Sequence, residues 1–154
     1  MQIKNKSTLV IAILIPIAVG LLSALSAGNM SLYSRINKPL LAPPAFIFPL
    51  VWFKLYILMG ISSYIIYESD SPYKADALKV YGLQLLFNFF WSILFFRFRL
   101  YLIAFLWLLV LIALIAIMIY RFYRISHLAA YLQIPYLLWC LFASYLNLMI
   151  FKLN

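Results

Sequence analysis

The sequence is short of the residues that most chemistry requires. Cys140 is its only cysteine, so no disulfide can form within the chain. His127 is its only histidine, and its three acids, Glu68, Asp70 and Asp76, fall in one short connecting stretch. Borderline metals take several His, Cys or carboxylate ligands, so no metal site and no required cofactor are expected. The apolar runs hold no Asp, Glu, Arg or His, and Lys54 lies near the end of one. This counts against an ion- or proton-coupled pump, which needs ionisable groups inside the membrane. There is no Ser/His/Asp set, carboxylate pair or glycine-rich phosphate loop, so hydrolysis and phosphoryl transfer are disfavoured. The apolar runs do not alternate with polar residues, which excludes a membrane barrel. No internal repeat or low-complexity segment is present.

Apolar residues are abundant instead. They make up 68% of the 154 residues, against 10% charged, and the mean hydropathy is +1.07. A soluble domain of this size cannot hide so much apolar surface, and lipid is the natural solvent. The net charge is +9. Its cations flank apolar runs, where they can reach lipid headgroups. No basic cluster extends beyond those flanks, so nucleic acid is not expected as a partner and membrane lipid is.

The charges divide the chain into five spans, approximately 8–27, 46–67, 80–96, 100–120 and 128–151. Each has roughly the length needed to cross a bilayer core as a helix. The expected fold is all-α, a single domain over 1–154 forming an integral membrane bundle of five transmembrane helices. Lys4 and Lys6 ahead of the first run mimic a secretory signal, but the run is long for one, and Pro16 and Gly20 suit a retained, packed helix. The basic residues split six against six between the two sides, so orientation is not readable. No organelle address is recognisable, which makes a bacterial cell membrane the default location.

The connection over 28–45 is long for a compact bundle, and long ordered loops are often functional lids. Gly28-Asn29 ends the first helix; Lys38-Pro39 and Pro43-Pro44 stiffen the rest of the loop. Three helical faces then carry polar and aromatic residues. One holds Trp52 and Tyr56, a second Gln84, Asn88 and Trp91, and a third Pro135, Trp139, Ala143 and Asn147. Buried amides need partners, so Gln84 and Asn88 either bind a ligand or join helices. Pro135 frees the carbonyl of Tyr131 and can kink the last span. The fourth span, whose only polar group from Leu102 to Ile119 is the indole of Trp107, reads as a wall facing lipid or another subunit.

These motifs resemble the TspO / translocator protein family (tryptophan-rich sensory protein, peripheral-type benzodiazepine receptor). The matching residues are Tyr33 with Lys38-Pro39 and Pro43-Pro44; Phe48, Val51-Trp52, Leu55-Tyr56 and Gly60; Gln84, Asn88 and Trp91-Ser92; and Pro135-Tyr136, Trp139, Ala143 and Asn147. Their order and spacing agree over residues 33–147. The resemblance implies a homodimer of five-helix chains with a pocket under the first loop, walled by the second, third and fifth spans. Implied ligands are porphyrins such as protoporphyrin IX, and isoquinoline carboxamides or benzodiazepines. The implied contacts are Tyr33, Pro43, Trp52, Asn88, Trp91, Trp139 and Ala143. Arg35 and Lys38 at the mouth suit the propionates of a porphyrin.

The first functional expectation is a membrane receptor or sensor. The alternatives are a light-dependent porphyrin-degrading enzyme, for which Trp52 and Trp139 are the candidate oxidisable indoles, and a transporter of porphyrin or other amphiphiles. One departure stands out. The family often carries Trp between the Lys-Pro and Pro-Pro pairs, and this chain has Leu40 and Leu41. The sterol motif of animal members is also not supported, because six residues separate Tyr145 from Lys152.

Overall fold

The computed structural model of the chain describes residues 3–28 and 31–154; Asn29, read with Gly28 as a helix stop, lies outside them. The described residues are helical, with no strand. Five helices are long and apolar enough to cross a membrane. Helix α1 runs Lys6–Ala27, starting two residues before Thr8, because the Asn5 side chain caps it by accepting from the backbone N–H of Ser7 (2.9 Å) and Thr8 (3.2 Å). It ends at Gly28, whose φ of 80° glycine adopts without strain. The first loop is not all coil: Leu32–Arg35 forms a short helix, α2.

Helix α3 spans Ile47–Tyr67 and α4 spans Lys74–Ser92, followed by a π-helical turn over Ile93–Arg97. The third span therefore starts six residues before position 80. Asp76 consequently sits in the first turn of α4 rather than in a loop, where the helix dipole favours a carboxylate. Helix α5 spans Tyr101–Tyr123. The last span is broken: α6 covers His127–Tyr131 and α7 covers Ile134–Leu153, with Pro135 in the first turn of α7. Pro135 thus opens a helix, where its missing N–H is no loss, instead of kinking one.

The principal core gathers Met59 and Ile66 of α3, Leu85 of α4, Leu111 and Met118 of α5 and Cys140 of α7. Helix α5 is more than an outer wall. It buries Ala104, Leu108, Leu111, Ile115, Met118 and Phe122 along one face, and Trp107 Nε1 donates to the Phe87 carbonyl at 2.8 Å. Helices α1 and α3 approach closely at Gly60, where a Cβ would lie 2.4 Å from Ile13 Cα. A smaller cluster of Tyr33, Phe95, Ala104 and Ile150 closes the bundle beneath the first loop.

Candidate functional site

Under that loop lies a cavity of about 720 Å³, within the size range of small-molecule sites. Helix α3 contributes Phe48, Trp52 and Tyr56, α4 contributes Asn88, Trp91 and Ser92, and α7 contributes Ala143, Leu146, Asn147 and Ile150. The π turn adds Phe95 and Phe96, and Tyr33 reaches in from α2. Helix α1 supplies a fourth wall through Ile17, Gly20, Leu21 and Ala24. Three walls were expected; α1 had matched the family pattern by hydropathy and position only. Its cue was the small-residue row Gly20 and Ala24, one turn apart. Gly20 is needed there, since a Cβ would fall 2.2 Å from Cε2 of Tyr56.

Leu21, Phe46, Leu50 and Phe53 line the cavity and are also exposed on the outside of the bundle. The cavity is therefore open on the side lined by α1 and α3. Among the described residues its wall contains no Asp, Glu, Lys, Arg or His.

The polar groups of the wall are held by one another. Tyr56 donates to Asn88 Oδ1 (3.0 Å), Asn88 Nδ2 donates to the Tyr136 hydroxyl (2.9 Å), and Tyr136 donates to Gln84 Oε1 (2.8 Å). This buried chain ties α3 to α4 and α7. It also answers the question left open by the spacing. Gln84 is fully buried behind the wall and joins helices, whereas Asn88 both joins helices and faces the cavity. Tyr56 Oη spends its proton on Asn88, so toward the cavity it offers an acceptor. Asn88 Nδ2 retains a second N–H as a donor. A second linkage runs from Trp91 Nε1 to Asn147 Oδ1 (3.1 Å) and from Asn147 Nδ2 to the Tyr101 carbonyl (2.7 Å).

Of the residues singled out from sequence, Tyr33, Trp52, Asn88, Trp91 and Ala143 line the cavity, and Pro43, Trp139, Arg35 and Lys38 do not. Trp139 stands one ring behind, with its centroid 5.8 Å from that of Phe48; among the described residues its buried Nε1 has no hydrogen-bond partner. Pro43 holds the lid by accepting from the Tyr33 hydroxyl at 2.9 Å. Burial pushes the Tyr33 hydroxyl above its usual pKa, so it stays a donor. Lys38 Nζ sits 4.8 Å from the Tyr33 ring centroid, a cation–π contact on the outside of the lid. Arg35 is exposed.

Leu40 is fully exposed and Leu41 is 64% exposed, so neither side chain forms part of the wall. The lid has an anchor that sequence spacing did not signal, because its partners are 117 residues apart. Asn37 N donates to Asn154 Oδ1 (3.0 Å), and Asn154 Nδ2 donates back to the Asn37 carbonyl (2.9 Å).

The sequence model of the TspO/MBR family matches residues 12–153. A tryptophan-rich protein TspO of Archaeoglobus fulgidus is 37% identical over 97% of this chain and 99% of its own length. A tryptophan-rich sensory protein of Cereibacter sphaeroides is 32% identical over 79% of this chain and 76% of its own. The translocator protein of Sus scrofa is 33% identical over 92% of this chain and 86% of its own.

Proposed function

Because this chain belongs to the TspO/MBR family and is an integral, multi-pass membrane protein, we propose that it is a membrane receptor or sensor for a tetrapyrrole of the protoporphyrin IX type. Its cavity would also admit flat synthetic ligands such as isoquinoline carboxamides. The observation that carries this reading is the aromatic, uncharged, open cavity of about 720 Å³. A flat apolar macrocycle stacks on indole and phenol rings with little loss of side-chain freedom. Trp52 and Trp91 line the cavity from different helices, and the Tyr56 acceptor and Asn88 donor supply the few oriented polar contacts a ligand needs. An ionised group in the uncharged interior would lose hydration without compensation, so carboxylates of the ligand belong outside it; Arg35 and Lys38 on the lid, which do not line the cavity, are their proposed partners.

The test is a titration of tryptophan fluorescence with protoporphyrin IX in detergent. Saturable quenching is expected, and a Trp52→Phe, Asn88→Ala variant should bind at least about tenfold more weakly, since two wall contacts are removed. Unchanged affinity in that variant would overturn the assignment of the cavity.

A second reading, light-dependent porphyrin degradation, draws on Trp52. Its ring stacks on Tyr56 with centroids 5.5 Å apart and meets Tyr136 edge-on at 6.1 Å. Trp139 is the weaker candidate, being outside the wall. Illuminated porphyrin that bleaches no faster with the protein than with an equal dose of free tryptophan would exclude this reading. Porphyrin flux across proteoliposomes would instead favour a transporter.

A further inference from the structure

Away from the main cavity, a cleft of about 270 Å³ lies between the start of α4 and the end of α5, lined by Tyr73, Asp76, Tyr120, Arg121 and Arg124. Arg121 and Arg124 are three residues apart and share one helix face. Arg121 Nη1 donates to the Asp76 carbonyl at 3.2 Å, which orients the guanidinium over the cleft. The Arg124 guanidinium carbon stands 5.6 Å from the Tyr73 ring centroid. Among the described residues the one ion pair is Lys79 with Asp76, at 3.4 Å. That pair occupies the only carboxylate in the cleft and leaves both arginines without an anionic partner. A forked guanidinium pair with adjacent phenol hydroxyls suits a phosphate.

The position says which phosphate. The cleft is at the ends of two spans, and Tyr73 and Tyr120 are largely exposed, as tyrosines at headgroup depth are. From it an apolar track leads toward the membrane centre. Leu83 lies seven residues beyond Asp76 on α4, and Ile117 and Val110 lie seven and fourteen before Arg124 on α5; all three are exposed. At helical spacing these share the face of the cleft residues and offer a bed for acyl chains. We propose that this cleft is a binding site for an anionic phospholipid, its phosphate held by Arg121 and Arg124 and its chains laid along α4 and α5. The site is separate from the ligand cavity and does not depend on it.

Native mass spectrometry of the full chain in detergent tests this, comparing phosphatidylglycerol with phosphatidylcholine of the same acyl chains. The wild type should retain phosphatidylglycerol preferentially. Arg121→Gln with Arg124→Gln should weaken that retention about thirtyfold, and Arg124→Gln alone about fivefold, from the typical contribution of each basic residue near an anionic surface. The guanidinium of Arg124 meets the Tyr73 ring at the surface and bridges no buried group, so its single variant should fold normally. A control with the same loss of charge elsewhere, Lys6→Gln with Lys152→Gln, should leave retention unchanged. The proposal is overturned if Arg124→Gln retains phosphatidylglycerol as the wild type does, or if the control loses as much. Displacement of the lipid by millimolar inorganic phosphate would also overturn it, since a bare anion would then suffice.

Discussion

Replacing Gly60 with alanine probes how α1 is held against the rest of the bundle. An alanine Cβ at this position would lie 2.4 Å from Ile13 Cα and 2.7 Å from the Ala12 carbonyl oxygen. Ordinary carbon contacts lie at about 3.5–4.0 Å, so relief requires a separation of about 1 Å. Both obstacles are backbone atoms, and no rotamer change can provide it; the two helices must part. In a membrane, close van der Waals packing is a main source of helix association, so the loss is not offset by a hydrophobic term. Overpacking of this kind costs about 1–3 kcal/mol, and a backbone clash belongs at the upper end. The better helix propensity of alanine returns about 1 kcal/mol, leaving a net loss of about 2 kcal/mol. Gly82→Ala is the matched control, because a Cβ there meets nothing within 4 Å; it should gain the propensity term alone. In thermal unfolding under one detergent condition, Gly60→Ala should fall by about 4–8 °C and Gly82→Ala should rise by about 2–4 °C, using about 2–4 °C per kcal/mol. A Gly60→Ala midpoint equal to or above that of Gly82→Ala would refute the close approach of α1 and α3.

Gly20→Ala should act on binding rather than chiefly on the fold, because the new Cβ meets the movable ring of Tyr56. Pushing that ring toward the cavity breaks its bond to Asn88 and should weaken protoporphyrin IX about tenfold; an unaltered titration would show that Tyr56 does not shape the site. Tyr136→Phe removes two buried hydrogen bonds. At about 0.6 kcal/mol each in a membrane protein it should lower stability by about 1 kcal/mol in mixed-micelle denaturation. Its effect on ligand affinity should be small, because Tyr136 stands behind the wall; a large loss of affinity with unchanged stability would reverse that assignment. Asn154→Ala removes both side-chain bonds to Asn37, and amide exchange at Asn37 should quicken roughly tenfold as the lid loosens. Equal exchange in the two proteins would mean that the lid is held elsewhere.

Residues far apart in the chain show where reading the sequence stops. Spacing put Trp52, Asn88, Trp91 and Ala143 on polar, aromatic faces of otherwise apolar helices and left open whether those faces bind a ligand or join helices; the family resemblance singled them out as a site. Trp139 shows the same pattern, yet it packs behind Phe48. Periodicity gives a residue's direction from its own axis, not what stands in front of it. Ile17 and Leu21 of α1 carry no pattern at all, since an apolar residue facing a cavity and one facing lipid look alike in sequence. Arg121 and Arg124 read only as span flanks, and α4 makes a cleft of them by beginning early enough to bring Tyr73 and Asp76 alongside.

The sequence by itself determined the solvent, the helical class and the number of membrane spans. Long apolar runs without internal charge must satisfy their backbone hydrogen bonds locally in lipid, and helices do this without reference to any neighbour. It also determined the family, through motifs that keep their spacing. Only the tertiary structure decided which faces meet. It made α1 a wall, set Asn88 between Tyr56 and Tyr136, left Trp139 behind the cavity and tied the lid to the last residue. The physical reason is that these outcomes depend on close packing and paired hydrogen bonds between groups on different helices. Such pairings are properties of the assembled bundle, and no single span carries them.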